Sequence, residues 1–302
     1  MTSHVVVGAG PTGTATALKL ANSGDDVVVI TRRGTGPEHP AITLVAADAS
    51  DADKLTALTT EAATLINCAM PSYDRWAEET PALSDALITA AERTGAAYLN
   101  LSNCYAYGPV DGPLREDLPL RPTTVKGRVR ARMFLDGLAA HEAGRLRFAE
   151  VRPGDYLGVG AGAMFNFLIG PQVLAGEKVV FPADLDVPHS WTYTGDVAST
   201  LVAVARSERS WGRAWHTPQT SDASVREIAT RFAEVAGRAV PAIREMTPLE
   251  LHTAALADPI MAEGLEMQYL YQRPAVVDFA HSADVLGIAA TSLEEVLAES
   301  VG

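Results

Sequence analysis

Through its first half the chain alternates short apolar, β-branched runs with stretches of helical period. The runs Val5-Val6-Val7, Asp26 to Thr31, Ile42 to Ala46, Thr64 to Ala69, Ala97 to Leu101 and Leu146 to Val151 have the length and composition of buried strands. Between them, Thr14 to Ala21, Leu55 to Leu58, Ala77 to Arg93 and Lys126 to Ala143 predict helices, with Gly24 and Gly95 placed to stop two of them. Repeated βα units of this kind predict a parallel, doubly wound α/β sheet. Ligands of such sheets bind beyond the carboxyl ends of the strands. The positions to read are therefore those just after each strand: Gly8, Arg32, Asp48, Cys68, Ser102 and Arg152.

The pattern then loosens. Gly154 to Pro188 carries six glycines and three prolines around a helical patch near Phe165. A βα unit returns at Ser190 to Tyr193 and Asp196 to Val204, and Trp215-His216 reads as a last strand. Val225 to Ala236, Pro248 to Ala255 and Leu293 to Ala298 are helical, and Ser224-x-x-Glu227 is a capping box.

The first turn carries the clearest chemistry. Gly8, Gly10 and Gly13 form G-x-G-x-x-G between the first strand and the first helix, the context of a dinucleotide site. Gly8 makes the tight turn, Gly10 lets a pyrophosphate approach, and Gly13 lets helix and strand pack closely, with the helix N-terminus aimed at the phosphates. Pro11 and Thr12 complete the turn. The second strand ends in Arg32-Arg33 and has no acid at its tip, which favours the 2′-phosphate of NADP(H), with NAD(H) as the alternative. The expected fold is a Rossmann dinucleotide-binding domain over residues 1–156 and 189–220. A smaller, mostly helical C-terminal substrate lobe covers 157–188 and 221–302.

The 302 residues are 47% hydrophobic, ample for one large or two joined domains. A formal charge of −13 argues against nonspecific binding to nucleic acid or anionic membranes. There is no apolar run long enough to span a bilayer and no signal peptide, so the cytoplasm is the expected compartment. Cys68 and Cys104 follow or end apolar runs and read as buried thiols, with no disulfide or metal site.

An ordered set of segments now resembles the extended short-chain dehydrogenase/reductase superfamily, in its epimerase/dehydratase branch. The set runs from the glycine turn through Asp48-Ala49, Asn67-Cys68-Ala69, Ser102 to Gly108, Lys126, Arg152 to Gly158 and His189 to Ala198 to the C-terminal Leu286-Gly287 and Ser292 to Glu295. The resemblance implies that Asp48 and Ala49 lie by the adenine and Lys126 by the nicotinamide ribose. It also implies that Asn67, Cys68, Ala69 and Pro153 border the cofactor. Relatives use a Tyr-x-x-x-Lys pair with a nearby Ser or Thr. Here Pro122 stands four residues before Lys126, and Asn103 stands where the serine would be. Tyr105 is the expected substitute proton donor, with Asn103 orienting a substrate oxygen. Met70, Tyr73 (with Trp76 nearby), Tyr107, His189, Trp191 and Arg273 are expected on the substrate side, His189 without a proton-transfer role. Glu116-Asp117 is expected to cap or solvate a loop.

These features predict an NADP(H)-dependent oxidoreductase acting on the carbonyl or hydroxyl of a small metabolite. The alternatives are a sugar-nucleotide epimerase or dehydratase that retains its dinucleotide, and a noncatalytic dinucleotide sensor or scaffold. The resemblance also implies a homodimer paired through the two long helices.

Overall fold

The valine run at the start of the chain lies inside a seven-stranded sheet. The computed structural model describes residues 2–302. Its strands are β1 (Ser3–Val7), β2 (Asp26–Thr31), β3 (Ile42–Ala46), β4 (Thr64–Asn67), β5 (Ala97–Leu101), β6 (Phe148–Arg152), β7 (Asp155–Leu157), β8 (Val179–Phe181), β9 (Trp191–Tyr193), β10 (Arg213–His216) and β11 (Ile243–Glu245). The helices are α1 (Pro11–Asn22), α2 (Ala52–Thr59), α3 (Trp76–Thr94), α4 (Val125–Glu142), α5 (Gly170–Ala175), α6 (Thr194–Arg206), α7 (Val225–Val235), α8 (Pro248–Ala257), α9 (Pro259–Gly264), α10 (Ala280–Leu286) and α11 (Leu293–Glu299).

The main sheet has the order β10-β6-β5-β4-β1-β2-β3, and every pairing in it is parallel. The chain winds from β1 out to β3, then restarts on the other side of β1 at β4. That reversal opens a crevice between the carboxyl ends of β1 and β4. Strand alternation sorts the side chains. Val5, Val7, Leu65 and Phe148 pack with Leu83 and Leu87 of α3 on one face. Val6, Val29, Ile66 and Val151 pack with Leu20 of α1 and Leu201 of α6 on the other.

A second core gathers Leu157, Phe165, Phe181, Trp191, Phe232 and Val296 around the two-stranded β11-β8 ladder. The strands β7, β8 and β11 have three residues each and leave no readable alternation in the sequence. The helical patch at Phe165 is a π-helical turn, Phe165–Ile169, leading into α5. The helix α10, within the expected lobe, instead packs on α6, and Val285 and Leu286 join the core of the main sheet.

One polar chain crosses the interior. Asn67, Asn100 and Glu150 sit side by side in register on β4, β5 and β6. The Asn67 amide donates to Asn100 at 2.9 Å, Asn100 donates to Glu150 at 2.9 Å, and Arg152 donates to Glu150 at 2.7 Å. The Arg152 guanidinium also lies over the rings of Phe134 and Tyr107, at 4.3 and 4.8 Å.

His216 at the end of β10 accepts from the Tyr107 hydroxyl at Nε2 (2.8 Å) and donates from Nδ1 to the Asp278 carbonyl (2.7 Å). Burial pushes its pKa down to about 4, outweighing that carbonyl contact. In the unfolded chain the value is about 6.5, so between the two the unfolded state binds more protons. The neutral histidine's contribution is therefore complete above about pH 6.5 and is lost as the pH falls toward 4. This group should lower stability by up to about 1.4 kcal/mol per pH unit within the window. Urea midpoints at about pH 7 and about pH 5.5 test this, and a His216→Gln variant should show the smaller slope.

Candidate functional site

The glycine turn occupies the crevice between β1 and β4. Gly8 has φ +95°, and a Cβ there would lie 2.9 Å from the Ala69 nitrogen. A Cβ on Gly13 would lie 2.0 Å from the Gly8 carbonyl oxygen, so only glycine lets α1 seat this close to β1. Gly10 differs. Its φ of −68° suits any residue, and a Cβ there would meet nothing within 4 Å. No side chain caps α1, and Pro11 heads its first turn. Open space at an uncapped helix N-terminus fits a dinucleotide's pyrophosphate. The neighbouring Thr12 is buried.

Arg32 and Arg33 are exposed in the turn after β2. Asp48, after β3, accepts from the Ser50 backbone N–H at 2.9 Å and from its hydroxyl at 2.8 Å. These bonds, with the Arg32 charge nearby, hold its carboxyl below the usual range. Ala49 packs on the edge of the core. Asn67 has both amide atoms engaged: its nitrogen donates to Asn100, and its oxygen accepts from the Ala69 N–H at 3.1 Å. Fully buried, it shapes the turn through these two bonds. That bond to Ala69 also ends β4 at Asn67, two residues before the apolar run stops.

Beyond the ends of β4, β5 and β6 lies a cavity of about 560 Å³. The segments Cys68 to Tyr73, Ser102 to Tyr105 and Pro153 to Tyr156 contribute to one wall, and residues 162–167 and 251–277 contribute to the other. Cys68, Met70, Tyr73, Trp76, Asn103, Tyr105, Pro153 and His189 all line it. Burial pushes the Cys68 thiol up to about 12, so it stays protonated at neutral pH.

The turn after β5 is a 3-10 helix, Cys104–Tyr107. The Asn103 oxygen caps it by accepting from the Tyr105 N–H at 3.1 Å. That leaves the Asn103 NH2 group as the donor available to the cavity. Gly127 seats α4 on this turn, since a Cβ there would lie 2.7 Å from the Tyr105 carbonyl oxygen. Burial, then the neighbouring Tyr73 and Asp155, push the Tyr105 phenol well above its ordinary value.

Four expected site residues lie elsewhere. Tyr107 is fully buried behind the turn, bonded to His216, and does not reach the cavity. Trp191 is fully buried in the second core, with its indole N–H on the Ala223 carbonyl at 2.8 Å. Arg273 lies outside the cavity in an exposed ion pair with Asp111 at 3.2 Å. Lys126 is buried too, and its ammonium group is already engaged. It donates to Glu263, lies 3.5 Å from Glu266 and sits 4.3 Å above the Tyr73 ring. Glu266 also accepts from the Val125 and Lys126 N–H groups, capping α4 from the C-terminal third of the chain. Two carboxylates thus face the Lys126 ammonium. Glu116 ties its loop to Ser282 and to the His216 N–H.

Sequence reasoning missed Asp155, Tyr271, Glu263 and Glu266. Asp155 accepts from His189 Nε2 at 2.8 Å and from the Tyr271 hydroxyl, and the His189 and Tyr271 rings stack at 4.5 Å. Burial raises the Asp155 carboxyl, but His189 and Tyr271 outweigh it and hold the group below its usual range. Asp155 falls inside a segment that carries the family resemblance, so a signal existed. Tyr271, Glu263 and Glu266 fall where the sequence has no period to read.

Among known structures, the chain is similar to MoeE5 in complex with UDP-glucuronic acid and NAD. The identity is 22%, over 99% of this chain and 97% of that one, with a TM-score of 0.79. It is similar to the UDP-N-acetylglucosamine 4-epimerase of Bacillus cereus at 14% identity, over 100% and 98%, with a TM-score of 0.78. A DesIV double mutant, a dTDP-glucose 4,6-dehydratase from Streptomyces venezuelae with NAD and DAU bound, aligns at 19% identity over 100% and 96%, with a TM-score of 0.80. These likenesses establish a shared fold. No curated protein sequence matches the chain. No helix among the described residues is long and apolar enough to cross a membrane. Residues 4–215, most of the chain, match the NAD dependent epimerase/dehydratase family, and to that family the chain belongs.

Proposed function

We propose that the protein transfers hydride between a nicotinamide dinucleotide and the carbonyl or hydroxyl carbon of a small metabolite. The observation that carries this reading is the Asn103–Tyr105 turn. It borders the cavity beyond β5, on the same sheet edge as the glycine turn. A bound nicotinamide supplies or accepts the hydride. The Asn103 NH2 group holds the substrate oxygen. Tyr105, kept protonated by burial, gives a proton to that oxygen as the carbonyl is reduced. In the oxidative direction it takes the proton back. Tyr105→Phe should then lower turnover by about 10²- to 10⁴-fold with little change in dinucleotide affinity. Unchanged turnover would remove Tyr105 from the mechanism.

For the cofactor we favour NADP(H), on the strength of Arg32 and Arg33 and the absence of an acid at the tip of β2. The NAD in the neighbouring structures weighs the other way. Those same neighbours favour a second reading, a sugar-nucleotide epimerase or dehydratase that regenerates its dinucleotide in each turnover. Pro122 in the tyrosine position and the engaged Lys126 weigh against it. Purified protein carrying a nonexchanging dinucleotide and active on a sugar nucleotide would establish the second reading.

A further inference from the structure

We infer that the cavity takes an apolar ketone, or the corresponding secondary alcohol: a hydrocarbon body with one oxygen function at its sheet end, and not a nucleoside diphosphate sugar. This rests on the hydride-transfer reading only for the oxidation state of the carbon. In that step the carbonyl carbon gains hydride, its oxygen gains a proton, and the reduced dinucleotide is oxidised.

The lining carries two sets of polar groups, one at the tip of β5 and one in the mutually bonded Asp155, His189 and Tyr271. At the tip of β5 are the Asn103 NH2 group, the Tyr105 phenol and the Ser102 hydroxyl, which is buried and has no hydrogen-bond partner. The remaining wall is built largely from flexible or bulky hydrophobes: Met164 and Phe167 around the π-helical turn, Ile260, Met261 and Met267 from the C-terminal third of the chain, and Leu101 opposite. Phe167 and Ile260 are also partly exposed, so the apolar character extends outward to solvent. A volume of about 560 Å³ suits a medium-sized organic molecule.

A diphosphate needs cations, and the wall offers a single one, Arg130. Its ionisable side chains other than thiols and phenols are Arg130, Asp155 and His189. The Arg130 guanidinium lies 4.5 Å over the Trp76 ring and donates to the Leu101 carbonyl at 3.2 Å, while its Nε has no hydrogen-bond partner. Asp155 binds His189 and Tyr271. The adjacent lysine, Lys126, is matched by Glu263 and Glu266. Two phosphate charges would enter this largely apolar space with Arg130 alone to meet them, a costly transfer.

The test is a binding series on the full chain, with and without saturating NADP⁺, read by tryptophan fluorescence since Trp76 lies in the wall. The probes are 2-hexanone, 2-octanone, 2-decanone and UDP-glucose. Burial of the chain should tighten binding about fourfold per methylene, so 2-decanone should bind on the order of 200-fold more tightly than 2-hexanone. UDP-glucose should not displace it. Phe167→Asp, with its fold checked by circular dichroism, should weaken 2-decanone binding at least about tenfold. A flat ketone series, no ketone binding, or displacement by UDP-glucose would overturn the inference. A steep series without oxidation of NADPH would uphold the ligand class while sinking the hydride-transfer reading.

Discussion

A Gly10→Val protein is expected to fold normally and to bind dinucleotide at least about 100-fold more weakly, a loss of about 2.7 kcal/mol. The protein itself has no need of glycine there. The backbone has φ −68° and ψ 179°, open to any residue, and a Cβ would meet nothing within 4 Å. The space is reserved for something outside the chain, and the uncapped start of α1 beside it suits phosphate. Gly13→Ala makes the contrast. Its Cβ would fall 2.0 Å from the Gly8 carbonyl, so α1 must move off β1 and the melting temperature should drop. Thermal melts and dinucleotide titrations on both variants separate the two roles. A Gly10→Val protein that binds as well as wild type would place the pyrophosphate elsewhere.

Glu150→Ala should cost about 3–5 kcal/mol of stability. The carboxylate is wholly buried and accepts from Arg152 at 2.7 Å and from Asn100 at 2.9 Å. Removing it leaves the buried Arg152 cation without its counter-charge, and the Arg152 Nη2 already lacks a partner. A Glu150→Leu/Arg152→Met double variant should recover much of the loss, because burying the pair is itself expensive. Arg75→Ala, which breaks exposed contacts to Glu78 and Glu79, should change stability by less than about 1 kcal/mol. Urea unfolding measures all three. Equal effects for the buried and exposed pairs would contradict this account of the interior.

Most of the main sheet was legible because its strands are buried on both faces. Val5 to Val7, Val27 to Ile30 and Leu65-Ile66 read as apolar runs, and the helices between them keep their period. The glycine turn was legible because its spacing follows from close approach of backbone to backbone. The elements around the second core and the helices after them were not. The three-residue strands and π-helical turn leave no repeat, and the helices α8 and α9 bury no residue fully. The site failed to be legible where it depends on contacts between segments far apart in the chain. Lys126 occupies a family position, yet Glu263 and Glu266, which engage it, lie 137 and 140 residues further along the chain. Tyr107 and Trp191 stand in matching segments, but side-chain direction turns both into the interior, and a segment match does not carry that direction. His189 lines the cavity, and its partners Asp155 and Tyr271 emerge only when β7, β9 and the C-terminal segment meet.

Everything proposed for this chain runs through a bound nicotinamide dinucleotide. The most direct test is a titration of the purified protein with NADPH, NADP⁺, NADH and NAD⁺, beside an Arg32→Ala/Arg33→Ala variant. Saturable binding is expected, tightest for the phosphorylated forms, with that preference lost in the variant. Failure of all four to bind would contradict it.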